Sequence, residues 1–385
     1  MANPSHRHQS SLEGLIDFSA QPLFATVDER TRAIDKFHRI VRHYEAKEPT
    51  HGRNNQYNRP ALVRLTFEYA RSPESQDKFL QAFFNSMALG MEDDGPDLGD
   101  DEVAADFHSL LYGFADYLLD HFFLPCLHVH LMLKPSPIYH AAIQRVQGQE
   151  EHIQSFMGTL DRVSELRSTC LVRDRHRCVI TRQFDSQEAT ERWRQSGSDA
   201  KDDDGNMLVN DIQPAHLEVA HILPHSLTKM GNNSQLYDDS RKAALSILNM
   251  FDNGVIHLIE GTDIDRPRNA ITLSHDMHQH FGGFRVFFEP VPDGPPHTYR
   301  IGTFLPLFIV GNQVPVTRSF FNHPTIDPPS PRLLAVHSAI AHILHLSAAG
   351  DYIETILKDM EEKMVREDGS TQLGRLVTLG LLMSG

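Results

Sequence analysis

Cysteine is scarce: the 385-residue chain has three, Cys126, Cys170 and Cys178. Three thiols cannot build a disulfide framework, and these three form no C-x-x-C pair of the kind that grips structural zinc. Long apolar runs are missing too. No uncharged stretch of about 20 apolar residues occurs, so composition argues against a helical membrane span. The nearest approach, "FFLPCLHVHLML" (122–133), is short and carries a proline and two histidines, and is expected to be a buried helix or strand pair. The opening "MANPSHRHQSS" lacks the apolar centre of a secretory signal, so an intracellular protein is expected, nucleus and cytoplasm not being distinguished. Positive charge is in deficit, 36 Lys and Arg against 51 Asp and Glu, a net −15. A nucleic-acid ligand would therefore need a local basic patch.

What is present describes a folded chain of two or three domains, 40% hydrophobic and 23% charged. Residues 1–150 read as mainly helical. Asp28 can cap "ERTRAIDKFHRIVRHYEA", where Ile34, Phe37, Ile40 and Val41 recur at helical spacing. Phe79, Leu80, Phe83 and Phe84 mark one face of a second helix, "FHSLLYGFADYLLDHFF" forms a third, and "KPSP" (134–137) breaks the pattern before a further helical stretch towards Cys170. The centre changes character. "RCVITRQFD", "LEVAHILP", "GVIHLI", "AITL" and "FRVFFEP" read as strands, "SRKAALSILNMFD" as a helix, and "SHDMHQHF" as a short helix with Ser274 placed to cap it. Residues 291–385 are expected to end in one long helix from "PRLLAVHSAIAHILHL" through "EEKM".

Three polar residues of the centre stand in a suggestive order: His221 at a strand end, Asn269 before a second strand, and His278 on the helix that follows. A neutral imidazole can take a proton from water. A cation can stabilise charge growing on a phosphate. An amide can fix a loop without titrating.

The stretch "LRSTCLVRDRHRCVITRQFD…LEVAHILPHSL…RNAITLSHDMHQHFGGF" resembles the HNH nuclease domain, in the divergent form found in fungal proteins, over about residues 165–290. The resemblance implies an α+β fold with a ββα-metal core between helical flanks. It implies a divalent-metal-dependent endonuclease acting on nucleic acid, DNA rather than RNA, with Mg, Mn, Ni or Zn as the ion. By position it makes His221 the general base, Asn269 the residue that shapes the loop, and His278 a metal ligand. Two usual ligand positions are filled by Ala220 and Gly282, which have nothing to offer a cation. Glu218, on the same strand face as Ala220, and Asp276 or His280, an i, i+4 pair, are the nearby substitutes. The alternative is an inactive scaffold that keeps the core to bind proteins or nucleic acid.

Arg173, Arg175 and Arg177 lie in the clearest basic patch and are the expected phosphate contacts. His275 and His280 are expected to face solvent, and His225 and His257 have no assigned role. Cys178 reads as core packing, and the aspartates of "DAKDDDGNMLVND" as a surface loop.

Overall fold

The computed structural model describes residues 24–48, 56–91, 95–127, 154–210, 213–227 and 235–361. Helices α1 (Val27–Glu45), α2 (Arg59–Glu68), α3 (Pro73–Ser86) and α4 (Asp101–Leu118) come first, the last continuing as a π turn, Leu119–Phe123. Next are α5 (Gln154–Arg173), α6 (Ser186–Ser196), strand β1 (Leu217–His221), α7 (Gln235–Phe251), β2 (Ala270–Ser274) and α8 (His275–Gly282). The order closes with β3 (Val286–Pro290), β4 (Thr298–Thr303), the short α9 (Leu307–Val310), β5 (Val316–Ser319), α10 (Pro331–Leu346) and α11 (Ala349–Glu361). The chain is thus an α+β protein. The "KPSP" break and the stretch up to residue 153 lie outside the described residues.

Two compact units are drawn from several stretches each. One comprises Met1–His128, Ser226–Ile256 and Ala339–Gly385; the other comprises Val129–His225 and His257–Ser338. The first is helical and built around phenylalanine. Phe37 meets Phe79 and Phe83 edge-on at 5.6 and 4.9 Å between ring centres, and Phe83 meets Phe114 at 5.8 Å. Edge-to-face contact suits the ring quadrupole, and each buried ring contributes about 2–3 kcal/mol. The cap of α1 is Thr26 rather than Asp28. Thr26 accepts from the Glu29 amide while Glu29 accepts from the Thr26 amide, a reciprocal pair that leaves Asp28 in the first turn, where it complements the helix dipole.

The expected single C-terminal helix is two. Ala348 takes a left-handed φ of 59°, and Ser347 bonds back to the Ile343 carbonyl at 2.6 Å while accepting from Ala349. Among the described residues no single helix is long and apolar enough to cross a membrane.

The second unit positions the polar residues. β1 and β2 pair antiparallel with His221 opposite Ala270 and Glu218 opposite Leu273; α8 follows directly from β2. β2 is buried along its whole length, as its apolar run "AITL" requires. β3, β4 and β5 form a separate antiparallel sheet.

Two expected strands are not strands. "RCVITRQFD" is a tight turn: Arg177 bridges Phe184, and the backbone reverses through Arg182 at φ 64°. "GVIHLI" forms a 3-10 turn, Val255–Leu258, after Gly254 turns the chain at φ 79°. Only Val255 and Ile259 of that run are fully buried, a spacing of four rather than the alternation of a strand.

Candidate active site

His221 ends β1, and the chain then turns through Pro224 into His225. Asp265 arrives from a 3-10 turn, Gly261–Asp265, far away in sequence. Both rings reach the same carboxylate oxygen: Nε2 of His225 lies 2.6 Å and Nε2 of His221 lies 3.1 Å from Asp265 Oδ1. The two ring centres are 4.6 Å apart.

Asn269 ties the arms that carry these groups. Its side chain is fully buried; Oδ1 accepts from the Leu223 amide at 3.0 Å, and Nδ2 donates to the carbonyls of Leu223 (3.1 Å) and Ile264 (3.0 Å). Leu223 is two residues before His225, and Ile264 is the residue before Asp265. An amide is well suited here, because it offers both an acceptor and donors without carrying charge into the core.

Burial pushes the His221 imidazole below its ordinary pKa; its hydrogen bond to Asp265 opposes this, and the nearby His225 and His278 reinforce it. Burial also disfavours charge on Asp265, yet its bonds to His221 and His225 prevail and hold the carboxyl well below the usual carboxylate range. The group is therefore a carboxylate shared by two imidazoles. One ligand atom from each of His221, His225 and Asp265 lies within 4.8 Å of the other two. Two imidazole nitrogens and a carboxylate suit a divalent first-row metal, and such an ion replaces the protons that the rings now direct at Asp265. The residues present fit a cation.

Beside this group stands a second one. Glu218, on β1, accepts from His275 Nδ1 at 2.8 Å and, through its other oxygen, from His278 Nδ1. Gln279 Nε2 lies 2.9 Å from His275 Nε2. Burial tends to raise the Glu218 pKa, but the bonds to His278 and His275 bring it down to about 2. The expected metal set is thus divided. Glu218 and His278 come together, whereas Asp276 lines a separate shallow cleft with His280, Gln279 and Phe308. His275, expected to face solvent, is a partner of Glu218. Ser274 occupies the N-cap of α8 but makes no side-chain capping bond.

The arginine patch looks different in three dimensions. Arg173 cannot meet a phosphate, because its side chain has no exposed surface. It bonds Asp174 at 2.9 and 2.8 Å and the carbonyls of Pro267 (2.7 Å) and Ala270 (2.9 Å), clamping the entry to β2. Arg175 pairs with Asp204, Arg177 with Asp202 (2.8 Å), and Arg192 with Asp203 (2.7 Å) and Glu188 (2.8 Å). The aspartates of the expected surface loop, exposed at Asp203 and Asp204, also supply countercharge to the patch. Of the three expected phosphate contacts, Arg175 is the most open, with 43% of its side chain exposed.

His225, Asp265 and His275 are the polar residues that sequence reasoning left without a role. The signals were present but weak: His225 follows His221 by four, and Asp265 precedes Asn269 by four.

Residues 178–289 match the family model described as HNH endonuclease, a span that includes Glu218, His221, His225, Asp265, Asn269, His275 and His278. No curated protein and no solved structure matches the chain.

Proposed function

With an HNH nuclease domain as the premise, we propose that the protein hydrolyses phosphodiester bonds in nucleic acid, DNA rather than RNA, with the help of a divalent cation held by His221, His225 and Asp265. The observation that carries this reading is that one matched segment gathers a two-imidazole, one-carboxylate group from parts of the chain 44 residues apart. In this reading β1, β2 and α8 are the ββα-metal core of the domain.

The bound cation would supply Lewis-acid stabilisation of the charge that develops on the phosphate and the leaving oxygen. The chain does the rest. Asp265 holds both rings on one oxygen, so their nitrogens converge without further ordering. Burial disfavours the protonated form of the His221 ring, which lessens the competition of protons with a cation. Asn269 fixes the two loop arms against each other.

A plasmid-nicking assay with Mn²⁺, Ni²⁺ or Mg²⁺, stopped by chelation, tests the reading. His225→Ala and Asp265→Asn should each abolish nicking, which a contaminating nuclease would not do. No nicking by the unmodified protein with any of the three ions would overturn the proposal. That result would favour the inactive scaffold, a reading supported by the aspartates that neutralise the arginine patch.

A further inference from the structure

The tight turn between Arg177 and Phe184 brings Arg182 against β5, the edge strand of the second sheet. Nη2 of Arg182 donates to the Ser319 carbonyl at the end of β5. Nε of Arg318, one residue earlier, donates back to the Ile180 carbonyl of the turn at 2.8 Å. These crossed bonds hold both guanidinium groups on one seam. Arg175 reaches it too: its guanidinium carbon lies 4.8 Å, and that of Arg182 4.6 Å, from the centre of the half-buried Phe321 ring.

The charge gathered there is not balanced from within. Aspartates answer Arg175, Arg177 and Arg192, but among the described residues neither Arg182 nor Arg318 pairs with a carboxylate. Nη1 of Arg182 is buried without a hydrogen-bond partner. Nη1 of Arg318 makes one long bond, 3.4 Å, to the Thr317 carbonyl, and its Nη2 bonds nothing among the described residues. A guanidinium carries five N–H donors, so most of the capacity on this seam is unspent. Carbonyl dipoles and a ring face offset the desolvation of a cation only in part. Burial and the neighbouring Arg318 push the Arg182 pKa below its ordinary value. Arg182 also holds a left-handed φ of 64°, which glycine would take without strain. Two cations set together in a chain of net charge −15 call for an anion that accepts several N–H bonds.

We propose that Arg318 donates to a backbone phosphate of nucleic acid, with the unpaired charge of Arg182 beside it, and that this contact positions the strand on the unit. The choice of nucleic acid rests on the reading given under Proposed function. Guanidinium matches phosphate through two parallel N–H bonds, and such contacts set register without reading bases. Both arginines belong to the same compact unit as His221, His225 and Asp265. Arg182 lies inside the segment matched to the HNH endonuclease family, whereas Arg318 lies 29 residues past its end at 289, so the site joins the matched domain to chain beyond it.

The test uses the full chain and a 20-base-pair DNA duplex, with binding read by fluorescence anisotropy in EDTA over a series of NaCl concentrations. Arg318→Gln and Arg182→Gln keep an amide donor for the carbonyls while removing the charge, and urea midpoints check folding. Arg318→Gln should weaken binding about tenfold at low salt and lower the slope of log affinity against log salt by about 1, the loss of one phosphate contact. Arg182→Gln should weaken binding about threefold, and Arg318→Lys, which keeps the charge, should keep the slope. Arg194→Gln, an exposed arginine paired with Glu191, serves as the control and should stay within about twofold. An unchanged slope in folded Arg318→Gln and Arg182→Gln overturns the site, and so does an equal drop in Arg194→Gln. If inorganic phosphate raises the melting temperature of the unmodified protein but not of Arg318→Gln, while duplex binding ignores both arginines, the occupant is free phosphate and the nucleic-acid assignment falls. Nicking is scored separately with Mn²⁺. Slope-sensitive binding without nicking supports the phosphate site and overturns hydrolysis; nicking with unaltered binding in every variant overturns the site and leaves hydrolysis standing.

Discussion

Asn269 is bonded to Leu223 twice, its Oδ1 accepting from the Leu223 amide at 3.0 Å and its Nδ2 donating to the Leu223 carbonyl at 3.1 Å. A side-chain amide thereby extends the pairing one residue past the backbone bond from the Ile222 N–H to the Asn269 carbonyl (2.8 Å). Replacing it by alanine leaves those two groups and the Ile264 carbonyl buried without this partner. The expected loss is about 2–4 kcal/mol of stability, read as a lower urea midpoint. Asn269→Asp should be no better, since it removes both donors and buries a charge. A loss under about 1 kcal/mol would mean that water replaces the amide.

Arg173 and Arg175 should behave as opposites although two positions separate them. Arg173→Ala strands Asp174 in a fully buried pair and should destabilise the fold by about 3–5 kcal/mol. Arg175→Ala breaks an exposed pair with Asp204 and should change stability by less than about 1 kcal/mol. Any DNA affinity that survives folding controls should weaken in the Arg175 variant and lose some of its salt dependence, because fewer counterions are released. Equal stability in the two variants would contradict the buried clamp.

These two arginines show what a sequence can and cannot convey. The order of His221, Asn269 and His278 along "LEVAH" and "NAITLSHDMH" was legible, because strand ends and helix starts leave local signatures. The loop-shaping role of Asn269 was implied by the resemblance to the HNH nuclease domain rather than by any local signature. Asp265 was not, since it reaches His221 from a 3-10 turn that has no periodicity to read. Arg173 was misread because a run of arginines says nothing about which one faces inward. Its burial depends on carbonyls supplied by Pro267 and Ala270, nearly a hundred residues later. The pairing of Asp202, Asp203 and Asp204 with the arginines is equally nonlocal. Local signals located β1, β2 and α8 but not the turns at Arg177–Phe184 and Val255–Leu258, and long-range pairing chose the partners.

His337 should make the fold acid-sensitive. The ring is fully buried, stacked on Phe281 at 3.9 Å between ring centres, and bonded to the Phe281 carbonyl at 3.0 Å. Burial pushes its pKa down to about 3, well below the 6.5 of a free histidine. Between those values the unfolded chain binds a proton that the folded one refuses, so stability rises with pH across that window. Going from pH 7.5 to 4.5 should therefore remove about 2–3 kcal/mol through this residue. In His337→Phe that part of the slope should vanish, as measured by urea melts at the two pH values. An unaltered slope would assign the acid sensitivity to other groups.

The ion preference of the His221, His225 and Asp265 group follows from its donors. Two imidazole nitrogens favour Ni²⁺, Zn²⁺ and Mn²⁺ over Mg²⁺, which prefers oxygen and gives up its water reluctantly. Calorimetry should therefore rank Ni²⁺ and Zn²⁺ above Mn²⁺, and Mn²⁺ above Mg²⁺. Binding should also weaken as pH falls, because protons compete for the same ring nitrogens. For His221 the competition sets in below the ordinary histidine range, since burial has already lowered its affinity for a proton. Asp265 contributes no such dependence near neutrality, as its two hydrogen bonds keep it ionised. Asp265→Asn should weaken every ion while leaving the imidazole preference for Ni²⁺ over Mg²⁺ in place. Tighter binding of Mg²⁺ than of Ni²⁺ by the unmodified protein would mean that oxygen ligands dominate. The cation would then belong with other carboxylates, and the assignment of His221 and His225 as its ligands would have to be abandoned.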